Sequence, residues 1–241
     1  MSRVQATLLN IGREALRIVL PSWCIVCETP LPWRDRSASC CGSCWRSLPR
    51  LTAARCWSCA LPLPVEGVCI ACSTDPLPVD WCDAWGEYKG GLAQLLHAFK
   101  FSRHDFLDAP LAALMCETLA ARGDLDFDVI VPVPMHWTKE HRRGYNQAAL
   151  LGRALSKLTS IECDGRLMTK RRESETQSLL ARAARRENVK KSFIASSRVA
   201  GKAVLLADDI CTTGETFRAC ASELIRAGAA RVSAISVAKA V

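Results

Sequence analysis

The chain has 241 residues, of which 49% are hydrophobic and 23% are charged, so it holds enough apolar side chains for a core. Its net charge of +8 favours an anionic partner, such as a phosphate ester, a nucleic acid or a membrane surface, without choosing among them. No run of about 18 apolar residues occurs, so we expect no transmembrane helix.

Residues 1–20 predict an amphipathic helix, because apolar residues from Leu8 to Leu20 can share one face and Pro21 ends the run. Charged and polar residues interrupt that run, so we do not expect a secretion signal. The 14 cysteines, ten of them between Cys24 and Cys82, are then expected to bind metal in a cytoplasmic protein rather than form disulfides.

Residues 21–82 predict a small module that a metal stabilises, because prolines, cysteines and tryptophans replace periodic apolar residues. Four CxxC pairs occur in it: Cys24/Cys27, Cys41/Cys44, Cys56/Cys59 and Cys69/Cys72. Two such pairs complete a closed tetrahedral zinc site, which is structural because no ligand position stays open for water.

Two points of that assignment stay open. The simplest pairing joins neighbouring pairs around two zinc ions, and an interleaved pairing fits the spacing too. Cys40 competes with Cys41, which we prefer because it keeps the two-residue spacing to Cys44. An iron–sulfur cluster or free thiols are less favoured, since no ferredoxin-type run of cysteines is present.

Three tryptophans flank these ligands. Trp23, Trp45 and Trp57 are suited either to shielding a small core or to stacking on bases, and we expect core packing.

Residues 83–241 alternate between helical and strand patterns. Continuous apolar strands between amphipathic helices predict an α/β fold with a parallel sheet covered on both faces. Helices are predicted at 92–101, 107–122, 145–158 and 216–227, and buried strands at 129–133, 203–207 and 232–237.

The segment from Val204 to Thr216 carries the clearest functional signal. A buried strand leads into Asp208 and Asp209, and a Thr/Gly turn precedes a helix. The helix start offers backbone N–H groups and a positive dipole end to an anion, and Gly214 allows a close approach. The hydroxyls of Thr212, Thr213 and Thr216 add donors, while the acids suit sugar hydroxyls or Mg²⁺. Simple helix capping is the competing interpretation.

Other polar residues give weaker signals. Arg142 and Arg143 precede Gly144 and suit bidentate phosphate contacts, but a solvated basic turn explains them equally well. Lys100 is a further candidate cation, although a surface lysine is the simpler interpretation. Asn146 is suited either to bond to substrate or to cap the helix that begins near Tyr145, and we expect capping.

A basic stretch from Arg166 to Lys191 contains nine basic and three acidic residues. Within it, we interpret residues 170–191 as a mobile loop followed by a helix, which acts as a lid over the substrate or as a contact to a nucleic-acid backbone. A solvated face is the competing account.

Taken together, these motifs resemble those of a known family. Residues 204–216 resemble the signature by which type I phosphoribosyltransferases bind phosphoribosyl pyrophosphate (PRPP). The segments 95–101, 128–134, 142–147 and 176–193, with the cysteine pairs, resemble the ComF family, which has an N-terminal double zinc ribbon and is linked to DNA uptake.

The resemblance implies a type I phosphoribosyltransferase-like domain at 83–241 that binds PRPP and Mg²⁺. It assigns catalysis and ribose binding to Asp208 and Asp209, and the 5′-phosphate to Thr212, Thr213, Gly214 and Thr216. Arg142, Arg143 and Lys100 would then be cations for the pyrophosphate.

Two functions follow, and they are compatible. One is phosphoribosyl transfer to an acceptor that no motif in the sequence identifies. The other is binding of single-stranded DNA or of DNA-processing proteins, with the PRPP fold as a sensor or scaffold. A transcription regulator ranks last, because no helix-turn-helix pattern is evident.

Overall fold

The computed structural model describes residues 23–31, 39–51, 54–101, 105–170 and 192–241. The helix predicted at 1–20 and most of the basic stretch, residues 171–191, lie outside the described residues.

Helices and strands alternate through the C-terminal part of the chain. The helices are α1 (Gly42–Arg46), α2 (Ile70–Thr74), α3 (Gly90–Phe101), α4 (Asp108–Arg122), α5 (Trp137–Arg143), α6 (Gln147–Thr159) and α7 (Glu215–Arg226). The strands are β1 (Cys82–Glu87), β2 (Val129–Pro132), β3 (Glu162–Cys163), β4 (Met168–Lys170), β5 (Phe193–Ala195), β6 (Ala203–Cys211) and β7 (Arg231–Lys239).

Five strands form one parallel sheet in the order β1-β7-β6-β2-β3, with β6 at its centre. The predicted α/β fold with a parallel sheet is therefore confirmed. Strands β4 and β5 form a separate antiparallel pair. Because all five strands run the same way, their carboxyl ends lie at one edge, where open α/β sheets bind ligands.

A hydrophobic core lies on each face of the sheet, because alternate residues of a strand point to opposite faces. Leu205 and Ala207 of β6 pack into one core together with α3, α4 and α6. Val204 and Leu206 pack into the other core, together with α7.

The cysteine module packs against both faces. Its first half, including Cys24 and Leu48, joins the core that contains α3, while Cys56 and Leu77 join the core that contains α7. Residues 49–51 also pair with the outer edge of β1: the Leu51 N–H donates to the Trp85 carbonyl at 3.1 Å. This pairing covers an edge strand that would otherwise be open.

A buried ion-pair network joins the module to the sheet. The carboxylate of Asp83 in β1 accepts from Arg55, beside Cys56, and from Arg122 at the end of α4, both at 2.9 Å. Asp83 is fully buried, and these two contacts compensate its loss of hydration.

None of the helices within the described ranges combines the length and apolar character that crossing a bilayer requires.

Candidate functional site

The candidate phosphate loop, residues 211–216, joins the central strand to helix α7. Strand β6 runs four residues further than predicted and ends at Cys211, and α7 begins at Glu215 after the N-cap residue Gly214. Thr212, Thr213 and Thr216 are exposed. The loop thus presents hydroxyls to solvent beside a helix N-terminus, whose first N–H groups have no partner within the helix.

Gly214 has a backbone that favours glycine. Its φ angle is +83°, in the left-handed region. A Cβ at this position would lie 3.2 Å from a methyl carbon of Leu77, a residue in the second half of the cysteine module. The module therefore packs directly behind the turn of the phosphate loop.

The two adjacent acids have different surroundings. Asp209 is buried, and its carboxylate lies 3.0 Å from the Lys100 ammonium at the end of α3. Asp208 is half-buried and accepts the Asp209 N–H at 2.8 Å. Burial, reinforced by the neighbouring charge of Asp209, raises the pKa of Asp208 well above its ordinary value. The pair thus combines one ion-paired carboxylate with one whose pKa is raised, a contrast typical of functional sites.

A buried cation, which the sequence analysis did not identify, lies behind the loop. Lys239, the last residue of β7, is 3% exposed, and its ammonium donates to the Thr212 carbonyl and lies 3.7 Å from the Cys211 sulfur. This contact fixes the start of the loop and puts a positive charge under the surface where an anion would bind. A lysine at the end of a strand gives no sequence signal for such a role.

The segment between α5 and α6 borders the same edge of the sheet. The Tyr145 hydroxyl donates to the Phe99 carbonyl at 2.6 Å, next to Lys100. Asn146 accepts the Ala148 N–H at 3.0 Å, so the predicted capping role is confirmed.

Arg143 is held from several sides. Its guanidinium lies over the Phe101 ring, 4.8 Å from the centroid, and donates to Gln147 at 3.2 Å. Its buried Nε has no hydrogen-bond partner among the described residues. The side chain of Arg142, the other predicted pyrophosphate ligand, lies outside the described part of the structure.

A cavity of about 990 Å³ separates the phosphate loop from the second half of the cysteine module. Thr212, Thr213 and Lys239 line one side, and Leu61 and Ile70 line the other. A largely apolar lining with a few polar groups is typical of small-molecule sites. The sequence did not predict that the cysteine module would form a wall of this cavity.

The structure brings together the two sets of four cysteines that neighbouring CxxC pairs predict. These are Cys24, Cys27, Cys41 and Cys44, and Cys56, Cys59, Cys69 and Cys72. All sulfurs within a set lie within 4.8 Å of one another. A tetrahedron with Zn–S bonds of about 2.3 Å has edges of about 3.8 Å, and the Cys27–Cys41 and Cys59–Cys69 sulfur distances are 3.7 and 3.8 Å. The two clusters therefore fit structural zinc.

The two clusters share a backbone pattern. The Cys41 N–H donates to the Cys24 sulfur and the Cys69 N–H to the Cys56 sulfur, both at 3.3 Å. Such bonds favour thiolates, the form that binds metal. Cys40 instead directs its thiol to a backbone carbonyl at 3.6 Å, and burial raises its pKa to about 12.

The tryptophan prediction was partly wrong. Trp45 packs against the core as expected, but Trp23 is 55% exposed and Trp57 is 60% exposed. The cysteine clusters, rather than packed tryptophan side chains, hold these segments together. The indoles beside Cys24 and Cys56 therefore face solvent.

Comparison with known proteins matches both the cysteine module and the C-terminal domain to known families. Residues 15–73 match the family described as double zinc ribbon domain, and residues 146–240 match the phosphoribosyl transferase domain. The DNA utilization protein YhgH of Escherichia coli K12 is 33% identical over 221 residues, which cover 89% of this chain and 96% of that protein. Competence protein ComFC of Bacillus subtilis is 26% identical, with coverage of 89% and 93%.

A solved structure aligns with part of the chain. It is the glutamine PRPP amidotransferase from Bacillus subtilis, complexed with ADP and GMP, with 21% identity and a TM-score of 0.38. The match covers 54% of this chain and 26% of that protein.

Proposed function

Because the chain belongs to the ComF family, we propose that it binds PRPP and transfers its phosphoribosyl group to an acceptor during DNA uptake or DNA metabolism. The observation that carries this proposal is the geometry of the loop at residues 211–216. Its exposed threonines, its left-handed glycine and the helix N-terminus converge at the carboxyl end of the central strand, directly after two acids.

In this proposal the 5′-phosphate binds at the start of α7. Backbone N–H groups and the hydroxyls of Thr212, Thr213 and Thr216 donate to it, and the buried charge of Lys239 favours it. Gly214 lets the phosphate approach the backbone. Asp208 and Asp209 accept hydrogen bonds from the ribose hydroxyls.

Transfer breaks the bond between C1 of the ribose and the pyrophosphate oxygen, and the electron pair leaves with pyrophosphate. A nucleophilic atom of the acceptor forms the new bond to C1 and gives up its proton to solvent. Positive charge grows on the ribose in between, and the carboxylate of Asp209 is suited to stabilise it. Arg143, with its buried unpartnered Nε, and Lys100 are proposed to balance the negative charge of the leaving group.

The acids also fit a magnesium ion, because adjacent carboxylates and substrate phosphates supply the oxygen ligands that Mg²⁺ prefers. When bound, Mg²⁺ would neutralise charge on pyrophosphate. The acceptor would enter through the cavity between the loop and the second cysteine cluster.

The test is pyrophosphate release from PRPP with Mg²⁺ and a panel of free nucleobases and single-stranded oligonucleotides. Wild-type protein should release pyrophosphate with at least one acceptor, and the double variant Asp208→Asn/Asp209→Asn should lose this activity. Asp80→Asn, an exposed acid at the opposite end of the sheet, is the matched control. Full activity in the double variant would reject the assigned roles.

A second function, binding of single-stranded DNA, is favoured by one specific observation. Trp23 and Trp57 are exposed beside the two cysteine clusters, where they are suited to stack on unpaired bases. Fluorescence anisotropy with a labelled oligonucleotide should show binding that weakens with salt and falls in Trp57→Ala, but not in the control Ile194→Ala. Absence of binding at low salt would remove this function.

A further inference from the structure

One arginine links the cysteine module to the helix that follows the phosphate loop. Arg218 lies in the first turn of α7, and its side chain is largely buried. Its Nη1 donates to the Pro76 carbonyl at 2.7 Å and to the Asp75 carboxylate at 3.1 Å. Its Nη2 donates to the Asp75 carbonyl at 2.7 Å.

The residues that Arg218 holds follow directly on the second cysteine cluster. Cys72 is the last ligand candidate of that cluster and lies in helix α2, which ends at Thr74. Asp75 and Pro76 come next, and Leu77 then packs behind Gly214. Two contacts therefore connect the second cluster to the loop, one at the first turn of α7 and one at its N-cap.

The same arginine also restrains the loop end of the helix. Its Nε lies 3.6 Å from the carboxylate of Glu215, the first residue of α7. The guanidinium is thus fixed between the module and the helix start. Because its planar fork is already rigid, little side-chain entropy is lost for each hydrogen bond that it forms.

From these contacts we propose that Arg218 is a positioning residue that couples metal binding at the second cysteine cluster to the shape of the phosphate loop. A metal that orders the cluster fixes residues 75–77, and Arg218 and Leu77 transmit that order to Gly214 and α7. The inference rests on the proposed function only where PRPP serves as the probe.

The coupling is reciprocal by thermodynamic necessity. If metal at the second cluster strengthens PRPP binding by some factor, PRPP must strengthen metal binding at that cluster by the same factor. Breaking the Arg218 contacts should weaken both effects and leave the two binding sites themselves in place.

The first experiment does not use PRPP. Amide hydrogen exchange is measured at residues 211–216 in zinc-loaded wild type, in Arg218→Gln and in the control Arg226→Gln. Arg226 lies in the same helix and pairs with Glu223. We expect faster exchange of the loop in Arg218→Gln alone, with the zinc content unchanged. Equal exchange in all three proteins would overturn the inference.

The second experiment measures PRPP affinity by calorimetry and zinc affinity by equilibrium competition with a chromogenic chelator. Arg218→Gln should bind PRPP about tenfold more weakly, within the usual range of coupling between sites. PRPP should raise the zinc affinity of wild type and of Arg226→Gln, and much less that of Arg218→Gln.

The outcomes separate the two proposals. If wild type binds no PRPP, the proposed function fails, while the exchange result still decides the coupling. If wild type binds PRPP and Arg218→Gln matches it in PRPP affinity and in the effect of PRPP on zinc affinity, the coupling is rejected. Partial recovery in Arg218→Lys would support the role of the guanidinium fork, because lysine restores the charge without the bidentate geometry.

Discussion

Replacing Gly214 with alanine tests the turn of the phosphate loop. The φ angle of +83° is one that residues with a Cβ rarely adopt, and the new methyl would lie 3.2 Å from Leu77. Left-handed strain costs about 1–2 kcal/mol per residue. If this strain shifts the loop out of its phosphate-binding shape, PRPP binding must restore that shape at the same cost in free energy. The affinity for PRPP then falls by about 5- to 30-fold.

Calorimetric titration with PRPP and Mg²⁺ measures this loss, and Gly201→Ala is the matched control. Gly201 also has a left-handed φ, +74°, but apart from its chain neighbours no described residue has an atom within 4 Å of a Cβ placed there. It precedes the central strand, at the end opposite the loop. We expect both variants to lower the melting temperature and only Gly214→Ala to weaken PRPP binding. Wild-type affinity in Gly214→Ala would refute the role assigned to this turn.

Three further predictions follow from the described contacts. Asp208→Asn should raise the free energy of unfolding at neutral pH. The reason is that the folded pKa of Asp208 is raised, so its contribution to stability is complete at low pH and is lost as the pH rises through that pKa. Asp209→Asn leaves Lys100 without its partner and should lower the free energy of unfolding. Urea titrations at neutral and acidic pH check both signs, and a destabilised Asp208→Asn would contradict the reasoning. Asp83→Ala should lower the free energy of unfolding, measured in urea, by about 3 kcal/mol, because two arginines lose a buried partner. The exposed control Lys89→Ala should change it by less than about 1 kcal/mol. Equal losses in the two variants would show that the network is not stabilising. Cys41→Ser should retain about one zinc ion per chain by metal analysis and Cys40→Ser about two, since only Cys41 lies in a cluster; the reverse result would exchange the two assignments.

The sequence predicted the parts of the fold that depend on local pattern. The central strand, the acid pair and the start of α7 are recognisable because continuous apolar residues lead into a turn with its own chemistry. Strand β1 was not predicted, because it contains Asp83, whose burial depends on Arg55 and Arg122 from distant parts of the chain.

Helix α5 was missed for a related reason. Its residues are mostly polar, and its N-cap is His136 rather than one of the usual capping residues. The His136 side chain accepts the Thr138 N–H. The role of Arg218 was likewise beyond sequence analysis, since its partner Asp75 lies 143 positions away. Contacts of this kind depend on how the module packs on the sheet, which no local pattern encodes.

The most direct test of sugar-phosphate binding is a crystal structure of the protein with PRPP and Mg²⁺. The 5′-phosphate should lie against the backbone N–H groups of residues 212–216, with the ribose hydroxyls at Asp208 and Asp209. A PRPP molecule bound elsewhere, with this loop empty, would contradict the account.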